Sequence, residues 1–158
     1  MHTKLLLPNR FKKVGWVILI PATILGIILA YFQFSEEWLW ANVFAIANDG
    51  NEGHYRYFLI RNTNITNTVI GSLFIIGAIL VGFSKEKNED EYIANIRLSS
   101  LLWAVWISYI LLLVAFLLVY GTPFLDVMIY NMFTVLIIFI TRFNYLMYKN
   151  SKPSPHEK

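Results

Sequence analysis

The stretch 84–109 reads SKEKNEDEYIANIRLSSLLWAVWISY, and within it a dense run of charged residues passes directly into an apolar segment. The apolar segment continues to Tyr120 without another charged side chain. A charged run that borders such a segment is typical of a helix that leaves water and enters a lipid bilayer. This stretch therefore predicts a membrane span, and the orientation of the other segments follows from it.

The composition of the whole chain also indicates a membrane protein. Of its 158 residues, 57% are hydrophobic, 16% aromatic and only 15% charged, and the apolar residues fall in long blocks. The absence of cysteine excludes disulfides, thiolate metal sites and Fe–S clusters. The net charge of +3 comes from basic residues beside the apolar blocks rather than from one basic patch, so we expect no nucleic-acid partner.

Four apolar blocks are predicted to be transmembrane helices: 14–32, 67–83, 98–120 and 123–148. The expected fold class is an all-α membrane protein, in which residues 1–148 form a single domain built as a four-transmembrane-helix bundle. The tail 149–158 contains prolines and several charges and is expected to be disordered. In the second block, Gly71, Ala78 and Gly82 share one face, where a neighbouring helix can approach closely.

The loop 33–66 contains two short apolar pieces whose structure the sequence leaves open. Glu36–Ala47 is too short to span and is interpreted as an interfacial or re-entrant helix, with Ser35 as its N-cap. His54–Ile60 alternates in polarity in the manner of a strand. A β-hairpin around Asp49-Gly50 is therefore the alternative to the short helix.

The basic residues predict the orientation in the membrane. One side of the four-span arrangement has Lys4, Arg10, Lys12, Lys13, Lys85, Lys87, Arg97, Arg142, Lys149, Lys152 and Lys158, whereas the other has Arg56 and Arg61. By the positive-inside rule, we expect a multi-pass protein of the bacterial inner membrane with both termini and the 84–97 loop in the cytoplasm. The 33–66 loop then faces outward.

Four acidic residues precede the third span: Glu86, Glu89, Asp90 and Glu91. Such a cluster could hold a hard cation, but a helix start is the stronger interpretation. Asn88 with Glu91 three residues later is a capping-box pattern, and acids in the first turn complement the helix dipole. We therefore expect no metal site, no catalytic residue and no cofactor. A helix from Asn88 to Tyr120 would be ~48 Å long and would project from the bilayer into the cytoplasm.

The projecting part of the third helix is a candidate partner-contact surface. A stripe at spacings of four and three favours packing against other helices: Tyr92, Ile96, Ser99, Trp103 and Trp106. Arg97 has no acidic residue three or four positions away on its own helix. A lipid phosphate is its favoured partner, with a protein partner or an acid from another loop as the alternatives. We expect Tyr92, Ile96 and Arg97 to contact a cytoplasmic partner.

Polar residues inside the predicted spans form a second candidate site: Tyr109, Asp126, Tyr130, Asn131 and Thr134. Asp126, Tyr130 and Thr134 follow one another at four-residue steps, so they share one side of the fourth helix. Polar side chains within a bilayer are expected to face other helices or a wet cavity. For Asn131 an interhelical hydrogen bond is the favoured role, and a solute or ion site is the alternative.

Three segments resemble a family of small bacterial inner-membrane proteins with four predicted spans: residues 4–13, 84–106 and 130–144. That family is uncharacterised, so the resemblance implies a fold and a location but no activity.

Two functions of different class fit these observations. The first is a non-enzymatic accessory or regulatory protein that contacts a membrane or cytoplasmic protein, or another copy of itself. The second is an oligomeric small-solute transporter or channel with a path along the polar residues of the fourth helix. In both cases the lipid bilayer is the expected environment.

Overall fold

The computed structural model describes residues 6–32, 37–49, 55–87 and 89–150. Its elements are α1 (Arg10–Tyr31), β1 (Trp40–Asp49), β2 (Tyr55–Asn64), α2 (Thr66–Gly82), α3 (Glu91–Leu118) and α4 (Thr122–Asn150). The chain divides into two compact units. The first unit combines Met1–Leu19 with Ile75–Lys158, and the second unit is Ile20–Phe74.

Within the part of the chain that the structure describes, three helices are long and apolar enough to cross a membrane, namely α1, α3 and α4. They cover the first, third and fourth predicted spans except at residues 32, 119 and 120. The remaining helix, α2, is apolar but has 17 residues, which is the lower limit for a span. The chain is therefore mostly helical, as expected, but it is not all-α because β1 and β2 form a two-stranded sheet.

The predicted short helix at Glu36–Ala47 is wrong, and the hairpin alternative is confirmed. β1 pairs antiparallel with β2, with Phe44 opposite Ile60. Exposure alternates along β1, because residues 40, 42, 44 and 46 are exposed while 41, 43 and 45 are half-buried. A short apolar run fits a helix or a strand equally well until its pairing partner is known. Ser35, Gly50 and His54 lie outside the described residues.

In the second unit, Thr66 joins the base of the hairpin to the start of α2. Its hydroxyl oxygen accepts hydrogen bonds from the backbone N–H groups of Trp38 and Leu39, both at 3.0 Å. The same hydroxyl donates to Asn64 Oδ1 at 2.6 Å, and Asn64 Oδ1 also accepts from the Thr66 N–H. Thr66 is fully buried, and its hydroxyl satisfies two part-buried backbone donors.

Glycines allow the helices of the first unit to approach closely. A β-carbon on Gly15 of α1 would lie 2.8 Å from Cβ of Leu80, and one on Gly77 of α2 would lie 2.9 Å from the Leu19 nitrogen. Residue 15 lies next to residue 80 and residue 19 lies next to residue 77, so the numbering rises along α1 where it falls along α2. In this unit α1 and α2 therefore pack antiparallel, with their backbones close together.

Aromatic residues of α4 fill the space beside Gly82 at the end of α2. A β-carbon on Gly82 would lie 2.5 Å from Cε1 of Phe139, and Ala78 is fully buried one turn earlier. The predicted close approach on this face is thus confirmed at Ala78 and Gly82. Phe139 and Phe143 stack with ring centroids 6.2 Å apart, and both are fully buried.

The buried face of α3 includes Ile96 of the predicted packing stripe but neither of its two tryptophans. The buried residues are Ile96, Arg97, Ser100, Ala104 and Ser108. Trp103 and Trp106, which were expected to pack, are 52% and 69% exposed. The reason is that lipid is as apolar as a protein core, so large aromatic side chains gain little from facing a neighbouring helix. Small residues face inward instead, because they let α3 and α4 pack closely.

Candidate functional site

The first turn of α3 determines which acids are available for other contacts. α3 begins at Glu91 rather than at Asn88, and its N-cap is Asp90, whose carboxylate accepts a hydrogen bond from the Ile93 N–H at 2.8 Å. The predicted capping box from Asn88 is therefore wrong, and Asn88 itself lies outside the described residues. Since Asp90 alone provides the cap, Glu86 and Glu89 remain in the preceding loop.

Glu89 forms an ion pair with Arg97 through both of its carboxylate oxygens. The Arg97 Nη1–H donates to Oε1 at 2.7 Å and the Nη2–H donates to Oε2 at 3.1 Å. Nη2 also donates to the backbone carbonyl of Ser84 at 3.2 Å. Arg97 is only 7% exposed, so these contacts replace the water that a guanidinium would otherwise bind. Of the partners that the sequence left open for Arg97, an acid from a loop is the one that the structure shows.

A second ion pair lies beside the first one. Lys12 of α1 donates to Glu86 Oε1, and the Glu86 backbone N–H donates to Glu89 Oε2 at 2.7 Å. Both cations also lie close to the Phe143 ring of α4, with Lys12 Nζ at 5.9 Å and Arg97 Cζ at 5.0 Å from its centroid. We call Lys12, Glu86, Glu89, Arg97 and Phe143 the ionic clasp.

Backbone hydrogen bonds hold the segment before α1 against the same loop. The Leu7 N–H donates to the Phe83 carbonyl at 3.0 Å, and the Lys85 N–H donates to the Leu7 carbonyl at 2.8 Å. The Asn9 side chain donates to the Lys85 carbonyl at 2.7 Å. The start of α1, the end of α2, the start of α3 and the final third of α4 are thus joined at one end of the first unit.

The charges of the clasp neutralise one another, since it contains two cations and two carboxylates. Carboxylates engaged in ion pairs are poor ligands for a free cation, and within the described ranges no group of three or more histidine, cysteine, aspartate or glutamate side chains is placed to hold a metal ion. What the arrangement can do is fix the relative positions of four chain segments. A desolvated, bidentate arginine–carboxylate pair is well suited to that task.

The three residues expected to contact a cytoplasmic partner are placed differently from one another. Tyr92 is 57% exposed, and its hydroxyl accepts a hydrogen bond from the side-chain amide of Asn150 at 2.8 Å. Ile96 and Arg97 are buried. Tyr92 is therefore the member of the set that another molecule can reach, and its contact with a partner stays a prediction.

The polar residues of the predicted spans lie mainly on the outer surface of the helices. Tyr109 of α3 is 65% exposed, Asp126 and Tyr130 of α4 are exposed, and Asn131 and Thr134 are half-buried. The Thr134 hydroxyl donates to the Tyr130 carbonyl one turn earlier, at 2.8 Å. The buried face of α4 consists of Phe139, Ile140 and Phe143 instead.

Sequence reasoning missed Glu89 and Phe143 as partners of Arg97, and it missed the neighbouring pair of Lys12 with Glu86. A search for acids three or four positions away cannot find Glu89, because it precedes Arg97 by eight residues in a loop that folds back. The available signal was an acid-rich loop directly before a helix whose single arginine lacked a partner on that helix.

Comparisons of the chain with protein-family models, with curated proteins and with solved structures found no match. The resemblance to small four-span bacterial proteins therefore stays a prediction.

Proposed function

We propose that the chain is a multi-pass protein of the bacterial inner membrane and acts as a non-enzymatic accessory or regulatory protein. In this proposal α1, α2, α3 and α4 all cross the bilayer, and the ionic clasp lies at the cytoplasmic end. A membrane or cytoplasmic protein then docks at Tyr92 and the neighbouring end of α4.

The contacts at the clasp support a four-span topology. Leu7 bonds to Phe83 and Lys85, so the chain returns through α2 to the level at which α1 begins. Arg97 near the start of α3 contacts Phe143 near the end of α4, so the second pair of helices returns in the same way. An even number of crossings brings both termini to one side, and the positive-inside rule favours the cytoplasm for that side.

The observation that carries the proposal is the exposed hydrogen bond between Tyr92 and Asn150. Tyr92 lies near the start of α3, which the ionic clasp holds in place. Tyrosine is enriched at protein interfaces because it combines a large contact area with few rotatable bonds. The clasp immobilises the start of α3 by pairing Arg97 with Glu89. A surface that is already ordered loses less conformational entropy when a partner binds.

A specific observation favours the transporter as the second candidate. Asp126 and Tyr130 are exposed on α4, and polar side chains in a bilayer are costly when they face lipid. In an oligomer, these residues would face other copies and could line a path with Asn131 and Thr134. That function requires several copies of the chain around one pathway.

Two substitutions separate the candidates because each affects a different surface. Tyr92→Ala removes an exposed ring and should abolish partner binding without altering the fold, whereas Asn131→Leu should leave partner binding intact. If purified protein in vesicles moves a solute and Asn131→Leu abolishes that flux, the accessory proposal is wrong. If Tyr92→Ala abolishes partner binding and Asn131→Leu does not, the transporter alternative is wrong.

A further inference from the structure

One face of the β1–β2 hairpin, within the second unit, is an exposed apolar patch. The antiparallel register places Phe44 opposite Ile60, and opposite residues direct their side chains to the same face. The four large apolar side chains of this patch are 64–75% exposed: Phe44, Ile46, Phe58 and Ile60. The Phe44 and Phe58 ring centroids are 6.3 Å apart, so the patch is continuous. We call these four residues the hairpin face.

The two faces of the hairpin differ in composition. The opposite face has the small or half-buried Ala41, Val43, Ala45 and Leu59, together with the exposed Tyr57 and Arg61. The four residues of the hairpin face are all uncharged. The next pair on one side of them is Asn42 with Asn62, joined by a hydrogen bond of 3.0 Å between their side chains, and the next pair on the other side is Asn48 with Arg56. The hairpin face thus has an apolar centre with a polar edge, which is the usual anatomy of a protein interface.

The backbone of Phe58 is a second and independent indication that this face is used. Phe58 has a φ of 54°, in the left-handed region that bulky residues rarely adopt. Such a conformation costs about 1–3 kcal/mol and tends to persist at functional sites. The strained residue is also 72% exposed, so its ring gains little from the described part of its own chain.

We propose that the hairpin face is a homodimer interface, at which it packs against the hairpin face of a second copy. A two-fold axis places the residues nearest to it opposite their own copies, and the four uncharged residues of the hairpin face create no like-charge repulsion there. A single two-stranded hairpin is also marginally stable in water, and a second hairpin packed on it supplies the missing layer.

The available area agrees with a weak dimer of membrane-anchored copies. Large apolar and aromatic side chains bury roughly 150–250 Å² each, so four of them at this exposure contribute roughly 500–600 Å² per copy. Two copies would bury roughly 1,000–1,200 Å², near the lower limit of stable interfaces. Anchoring in one bilayer raises the effective concentration and compensates for a small interface. The homodimer proposal rests on the proposed membrane location, but not on the proposed cytoplasmic partner.

Disulfide crosslinking tests the proposal cleanly because the natural chain has no cysteine. Cysteine is placed at Phe44 or Ile60 on the hairpin face, and at Val43 or Leu59 on the opposite face as matched controls. In oxidised native membranes, the disulfide-linked fraction of at least one hairpin-face variant should be at least fivefold higher than that of either control. The reason is that a disulfide needs β-carbons about 4 Å apart. Equal crosslinking from both faces, or no dimer from either hairpin-face position, would overturn the proposal.

A second pair of variants tests the interface without a crosslink. Phe58→Asn keeps a residue that tolerates the left-handed conformation while it removes the ring, so the hairpin should stay folded. Its dimer fraction, counted by single-molecule photobleaching in vesicles of bacterial lipid, should fall at least tenfold, and Arg61→Asn on the opposite face should change nothing. An unchanged dimer fraction in Phe58→Asn would overturn the proposal. Loss of partner binding at Tyr92 leaves these readouts unaffected, so the two proposals fail separately.

Discussion

Arg97 on α3 and Glu89 in the preceding loop form a two-point ion pair, with Nη–O distances of 2.7 and 3.1 Å, at a place where the arginine is 7% exposed. The pair closes the loop between α2 and α3 onto the helix that follows it. With Lys12, Glu86 and Phe143 it joins four chain segments at one end of the first unit. Removal of either residue leaves the largely buried charge of the other one without its ion-pair partner.

Arg97→Met and Glu89→Gln should each lower the free energy of unfolding by about 3–5 kcal/mol, because each leaves a desolvated charge without its partner. The double variant should lose clearly less free energy of unfolding than the two single variants lose together. Arg97→Lys retains the charge but not the two-point geometry and should lie between wild type and Arg97→Met. Unfolding titrations in mixed detergent measure the four variants and the wild type. Strictly additive losses would show that the two residues are not energetically coupled.

Gly82→Ala should destabilise the protein by about 1–3 kcal/mol, because its new β-carbon would meet the buried Phe139 ring at 2.5 Å. Phe139→Leu should recover part of that loss by making room. Gly26→Ala is the matched control in α1, since no atom lies within 4 Å of a β-carbon there. It should be neutral or slightly stabilising, because alanine favours helix more than glycine does. Thermal unfolding in detergent ranks the stabilities of the three variants. Equal effects at Gly82 and Gly26 would contradict the described packing of α2 and α4.

Thr66→Val should loosen the base of the hairpin, because the Trp38 and Leu39 N–H groups lose their shared acceptor. A fully buried donor left unsatisfied costs about 1–3 kcal/mol, and each of these part-buried donors should cost a part of that. Amide hydrogen exchange at residues 38 and 39 should therefore accelerate about ten- to hundredfold, while Thr66→Ser, which keeps the hydroxyl, should behave as wild type. Unchanged protection in Thr66→Val would show that the hydroxyl does not hold this junction.

The four-span topology predicts that residues 61 and 87 lie on opposite sides of the membrane. Arg61→Cys should react with a membrane-impermeant maleimide on the outer face of the inner membrane in intact spheroplasts. Lys87→Cys should react only after the membrane is permeabilised, and both side chains are exposed in the structure. If α2 does not cross the bilayer, the two cysteines will behave alike, and the four-span proposal will be wrong.

The elements that the sequence predicted well are those that depend on long-range composition. Among the described residues, helices of spanning length cover nearly all of three of the four predicted spans, because a run of about 20 apolar residues has few other stable structures. The hairpin was left open, since Glu36–Ala47 is short and its partner strand lies across a turn. The sequence also did not predict which face of α3 is buried, for a different reason. Its helix is apolar on most sides, so apolar periodicity does not identify which face is buried.

The candidate site was recovered only in part. Arg97 was singled out because it lacks an acid on its own helix, but the sequence did not show that Glu89 would fold back eight residues to meet it. Phe143 looked like one apolar residue among many in the fourth span. Its role depends on the packing of α4 against α3, which no local spacing rule describes.

The proposed role as an accessory protein is tested most directly by site-specific photo-crosslinking in growing cells. A photoreactive amino acid replaces Tyr92 at the clasped end of α3, and Leu118 at the far end of the same helix serves as the control, since both side chains are exposed. The expected result is one reproducible protein adduct from position 92, none from position 118, and a strong reduction of the adduct when Arg97→Met disrupts the clasp. Abundant protein that gives no adduct from position 92, or the same adducts from both positions, would contradict the proposed docking end.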